Sequence, residues 1–107
     1  MANHDITPNQ LKHMQDDSDK LFVLDVREPH EIDICAIEGT HKIPLGDMPT
    51  RFSEVPTDMP VVVHCKLGGR SAQAVAFLQA QGYNNVKNLA GGIIRWIDDV
   101  DDSLTRY

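Results

Sequence analysis

Apolar residues in this chain follow two kinds of pattern. Short unbroken runs occur at Leu21-Phe22-Val23-Leu24-Asp25 and Val61-Val62-Val63-His64-Cys65, and Val86-Lys87-Asn88-Leu89 follows Asn84-Asn85. Short runs apolar on both faces predict strands buried in a parallel sheet. His41-Lys42-Ile43-Pro44 predicts a further short strand, and His4-Asp5-Ile6 a marginal edge strand. The other pattern is helical. Thr7 predicts a cap, with Pro8 at the first position of a helix running to about Gln15. Ser71 to Gln81 is rich in Ala and Gln, with Val75 and Leu78 on one face and Gly82 as the stop. From Gly92 onward, Ile93, Ile97, Val100 and Leu104 form one stripe at near-helical spacing. The stretch from Pro44 to Pro60 reads as a connection carrying a short helix at about Asp47 to Phe52. Strands alternating with helices predict an α/β fold: a central, mostly parallel sheet of about five strands with helices on both faces.

No repeat, low-complexity tract or linker divides the chain, and 107 residues suffice for one core. A single domain over 1–107 is therefore expected. Ten Lys plus Arg against 16 Asp plus Glu give a formal net charge of −6, which argues against nucleic acid or an anionic membrane as a general partner. At 41% hydrophobic and 24% charged, the composition is that of an ordinary globular domain. No apolar run approaches the roughly 20 residues of a membrane span. Met1-Ala2-Asn3-His4-Asp5 lacks the basic start and apolar stretch of a signal peptide. Two cysteines are too few for a disulfide scaffold. A reducing, cytoplasmic setting is the expectation.

In sheets of this kind ligands bind outside the carboxyl ends of the strands. After Val61-Val62-Val63 comes His64-Cys65-Lys66-Leu67-Gly68-Gly69-Arg70-Ser71, then the clearest helix in the chain. Cys65 is thus expected in a strand-to-helix turn, where free N–H groups and the helix dipole favour an anion. Gly68 and Gly69 let the loop curl into a nest of inward N–H groups, while Lys66 and Arg70 add positive charge. All of this favours the thiolate, the form that acts as a nucleophile. Cys35, within Ile34-Cys35-Ala36-Ile37 and without nearby basic residues, reads instead as a small buried hydrophobe. Nothing in the sequence asks for a disulfide between them.

Cysteine-dependent phosphatases place five residues between cysteine and arginine, whereas four separate Cys65 from Arg70. The shorter loop makes a tighter cup, better fitted to one sulfur atom than to a phosphate. Dithiol exchange lacks its Cys-x-x-Cys. With Leu24-Asp25-Val26-Arg27-Glu28, Ile43-Pro44-Leu45, the loop Cys65 to Arg70, and Gly91-Gly92 with Trp96, the chain resembles the single-domain rhodaneses, a sulfurtransferase family. Within it, Asp33-Ile34-Cys35, Cys65-Lys66-Leu67-Gly68 and the end at Tyr107 are similar to the rhodanese domain of sulfur-carrier adenylyltransferases. Many relatives have Gly-His where this chain has Cys35-Ala36. No adenylyltransferase domain is expected within these residues.

The resemblance implies Cys65 as nucleophile and persulfide carrier, with the amides of Lys66, Leu67, Gly68, Gly69 and Arg70 binding the sulfur. It also implies Arg27 near the pocket as a substrate-binding residue, the alternative being a partner of Asp25 or Glu28 that ties the loop down. The expected activity is transfer of sulfane sulfur from thiosulfate or another persulfide donor to a thiophilic acceptor. A relay module passing persulfide from a desulfurase to a sulfur-carrier protein is the alternative, and a small phosphatase a more distant one. His64 precedes Cys65, but alternation along a strand turns it away from the sulfur, which suits a hydrogen-bonded structural histidine better than a base. His4, His13, His30 and His41 show no ligand spacing, so neither metal nor cofactor is expected. Trp96 with Ile93 and Ile97 reads as core. Asp16, Asp17, Asp19, Asp98, Asp99, Asp101 and Asp102 read as solvated faces, or alternatively as a docking surface for a basic partner.

Overall fold

The computed structural model describes residues 4–17 and 20–107; Met1 to Asn3, read above for a leader, and Asp19, read as part of an acidic face, lie outside them. Five strands form: β1 (Asp5–Ile6), β2 (Phe22–Asp25), β3 (His41–Lys42), β4 (Val61–His64) and β5 (Val86–Leu89). They join in one sheet in the order β1-β5-β4-β2-β3, and every neighbouring pair is parallel. Register follows from the apolar runs: Phe22 lies beside Val61 and Asp25 beside His64, so β2 and β4 end level with each other.

Alternation of side chains along the strands separates two cores. Leu24, Val61 and Val63 face α4 (Gly69–Ala80) through Ala74, Val75 and Leu78, while Val23 and Val62 face the other way, toward Leu11, Ile93 and Ile97. The latter come from α1 (Pro8–Asp17) and α5 (Gly92–Asp99). Helices thus cover both faces. Burying an aliphatic side chain stabilises by about 1.5–3 kcal/mol, so these two layers supply most of the fold's driving force.

Four local expectations shift. The first helix runs to Asp17, beyond Gln15, and α4 begins at Gly69 rather than Ser71, with Gly68 as its N-cap. α5 stops at Asp99; Val100 is its C-cap and Leu104 lies past it, still packed against the same core. The connection coils as a 3-10 turn at Leu45–Asp47, α3 (Met48–Arg51) and a second 3-10 turn at Phe52–Glu54. An unforeseen helix, α2 (Pro29–Ile34), follows β2. It opens with Pro29 and a capping box in which Glu28 and Glu31 bond each other's backbone N–H groups. A Glu at the cap is outside the usual Ser, Thr, Asp or Asn signal, which is why the motif was not apparent.

Candidate active site

β4 ends at His64, and Cys65 is the first residue of the turn into α4. The chain must reverse there within a few residues. Gly68 makes this possible with a left-handed φ of +110°, a conformation costly for any residue bearing a Cβ. Gly69 is already helical and no atom lies within 4 Å of where its Cβ would be, so the turn does not require it. A second element holds the loop from behind: the Ile93 and Ile94 amides of α5 donate to the carbonyls of Cys65 (2.9 Å) and Lys66 (3.2 Å). A Cβ on Gly92 would stand 2.3 Å from Lys66 O, so only glycine permits this approach.

Cys65 is 1% exposed. The Gly68 N–H donates to its Sγ at 3.1 Å, and Ser71 Oγ lies 3.3 Å away. Ser71 is fully buried and donates to Asn88 Oδ1 at 2.5 Å; Asn88 in turn donates to Gly68 O and Asp5 Oδ1, tying the turn to β1. The amides of Leu67, Gly69 and Arg70 have no acceptor among the described residues. First-turn amides of this kind leave the helix N-terminus available to an anion.

The charged residues are arranged differently from the expected open cationic cup. Arg70 forms a bidentate pair with Glu31 of α2, at 2.5 and 2.9 Å. That guanidinium drives the Glu31 carboxyl down to about 2, against its burial, so Glu31 stays ionised. Glu31 Oε2 also accepts from the Tyr107 hydroxyl at 2.8 Å, and burial pushes that phenol up to about 12, keeping it a donor. The Lys66 ammonium stands over the Tyr107 ring, 4.5 Å from its centroid. Leu67 is 65% exposed, so its side chain is no part of a sulfur pocket; only its amide can serve one.

Arg27 takes up the alternative role, the tie to a neighbouring carboxylate. Its side chain is fully buried. Nε and Nη2 donate to the Asp25 carboxylate, Nη2 also to Cys35 O, and Nη1 to Glu31 O and Tyr107 Oη. Burial opposes this charge, but the bonds to Asp25 and Tyr107 outweigh it and keep the guanidinium protonated. Asp25, not Glu28, is the partner. Arg27 therefore holds β2, α2 and the tail together beneath the site.

His64 is buried with Nδ1 3.2 Å from Cys65 O; Nε2 lies 3.5 Å from Asp25 Oδ2 without a hydrogen bond. Burial lowers its pKa and outweighs the neighbouring carboxylate, so the ring is neutral. No bond joins it to Sγ. Both cysteines are free and buried, Cys35 in the core facing α1 and α5. Trp96 lies in that same core. Asp16, Asp17, Asp98 and Asp99 pair with Lys12, His13, Arg106 and Arg95 on the surface. No cluster able to hold a metal occurs among the described residues. Sequence reasoning missed Glu31, Ser71, Asn88 and Tyr107. The Glu28/Glu31 capping box was the available signal for the first; the others carry no local signature.

Residues 7–99 match the rhodanese-like domain family. The chain is 40% identical over 93 residues to a sulfurtransferase of Allochromatium vinosum, an alignment covering 87% of each. It is 36% identical over 104 residues to the probable adenylyltransferase/sulfurtransferase MoeZ of Mycobacterium tuberculosis, covering 95% of this chain but only 26% of that protein. Among solved structures, a rhodanese-related protein from Thermoplasma volcanium superposes with a TM-score of 0.82 at 32% identity, covering 91% of this chain and 93% of that one.

Proposed function

The chain belongs to the rhodanese-like domain family, whose sulfurtransferase members support sulfur transfer as its chemistry, and from that premise we propose that Cys65 carries the sulfur as a persulfide. The Cys65 thiolate attacks the outer sulfur of thiosulfate. The bond between the two donor sulfurs breaks as the Sγ–S bond forms, and sulfite leaves with the electron pair. A thiophilic acceptor then attacks the outer sulfur of the persulfide, and the thiolate of Cys65 is restored. The persulfide anion extends from Sγ toward the free amides of Leu67, Gly69 and Arg70, where fixed N–H dipoles stabilise it without reorganisation.

One observation carries this reading: a buried sulfur at a helix N-terminus, already bonded by the Gly68 amide, beside amides with no acceptor of their own. Incubation with thiosulfate followed by intact mass measurement tests it. The expected result is a gain of one sulfur atom in the wild type and none in Cys65→Ser; a gain that persists in the variant, or never appears, overturns the assignment.

The exposed Leu67 at the loop tip favours a second reading, in which the donor or acceptor is a protein that docks on the loop. Persulfide would then come from a desulfurase and pass to a sulfur-carrier protein, with little free turnover. Weak transfer from thiosulfate to cyanide, together with fast transfer between proteins, distinguishes this relay. Phosphate hydrolysis fits the site less well, because the Arg70 fork that would clamp a phosphate is occupied by Glu31.

A further inference from the structure

From the charges around Cys65 we infer that Glu31 sets the donor class of the sulfurtransferase site, making it take singly charged sulfane-sulfur donors in preference to dianions. The inference rests on the Cys65 persulfide reading and names the substrate chemistry of that same site.

Most of the charged side chains around the sulfur are paired with an opposite charge. Arg70, the cation that closes the loop, spends both arms of its guanidinium on Glu31. Glu31 is 7% exposed and its carboxylate is held from two further directions: by the Tyr107 hydroxyl and by the Glu28 amide of the capping box at the start of α2. It cannot swing away when a donor arrives without stranding these donors. Arg27 is balanced by Asp25 in the same way, and His64 is neutral. Among the described residues Lys66, over the Tyr107 ring, has no carboxylate partner, and in the charge count its single positive charge balances the negative charge of the reacting thiolate. The cup is thus close to neutral when it is ready to react.

A dianion such as thiosulfate gains little attraction from a neutral cup and loses much of its hydration on entry. A monoanion, such as an alkyl thiosulfonate or a persulfide anion, loses less. With methanethiosulfonate the step balances as before: Sγ bonds the outer sulfur, the S–S bond breaks, and methanesulfinate leaves with the electron pair.

The test compares kcat/KM for thiosulfate and methanethiosulfonate in the wild type and in Glu31→Gln. The variant keeps the side chain's shape but frees the positive charge of Arg70. A unit of potential acts twice on a dianion and once on a monoanion, so the gain for thiosulfate is the square of the gain for methanethiosulfonate. The expected gains are about tenfold and about threefold, appearing mainly in KM. Equal gains for the two donors, or no gain, in a folded variant overturn the inference. The wild type supplies a second measurement if the variant does not fold. Between about 0.05 and 0.5 M salt, kcat/KM for thiosulfate is expected to fall by no more than about threefold, since a cup of little net charge exerts little long-range attraction to screen. A steeper fall overturns the inference. Intact mass recorded alongside distinguishes the two failures: loss of the Cys65 persulfide with both donors is a failure of the transfer reading itself, whereas an unchanged donor ratio with the persulfide present is a failure of the role of Glu31.

Discussion

Arg27 shows how a single buried residue can tie together the elements beneath a site. It makes bonds to Asp25, Glu31, Cys35 and Tyr107 while wholly enclosed. Arg27→Ala would strand the Asp25 carboxylate in the core, and loss of one partner of a buried pair costs about 3–5 kcal/mol. Urea titration of the variant is expected to show that loss. Two titrating residues give the protein's acid stability a defined shape. Burial depresses His64, so the unfolded chain takes up its proton first, and stability begins to fall as pH drops below the ordinary histidine value of 6.5. Glu31 is depressed from 4.5 to about 2 by Arg70, so its contribution is complete above 4.5 and is lost as pH falls toward 2. That second loss amounts to about 3 kcal/mol. Urea midpoints measured from pH 8 down to pH 2 are expected to decline in these two stages, and Glu31→Gln to shrink only the lower one, where Glu54, held down to about 2 by Arg51, also titrates.

At the scale of elements, the reactive loop is held by helix ends as well as by its own Gly68–Cys65 bond. α4 presents its N-terminus to the sulfur, α5 presents the Ile93 and Ile94 amides to the loop's back, and α2 delivers Glu31 to Arg70. The glycine at the start of α5 is the critical joint. Gly92 has φ of +61°, and a methyl there would strike both the Lys66 and Cys65 carbonyls. Gly92→Ala combines backbone strain with displacement of the loop, at a cost of about 2–3 kcal/mol or more. Thermal melting is expected to report the destabilisation, and a slower alkylation of Cys65 by iodoacetamide the displaced loop. The strands and the three longer helices were legible because each carries its own period and punctuation: apolar runs for β2 and β4, Thr7-Pro8 for α1, Gly82 after α4. α2 was not, since six residues are too few for a period and its cap is an unusual one.

At the scale of the whole molecule, the parallel sheet brings the carboxyl ends of β2 and β4 level, so everything that follows those strands meets at one edge. The sequence by itself determined the alternation of strands and helices, the two-sided burial, and the placement of Cys65 at a strand-to-helix turn. These properties depend on neighbours within a turn or two, through periodicity, capping and glycine. Tertiary structure alone decided what the charges do. Arg70 finds Glu31 across 39 positions, and Tyr107 reaches Glu31 across 76. No local pattern encodes such pairings, because they arise only when the sheet order and the course of the tail are settled. Of the two cations in the six-residue loop, the folded chain neutralises one: it delivers to Arg70 a carboxylate too buried and too well bonded to leave.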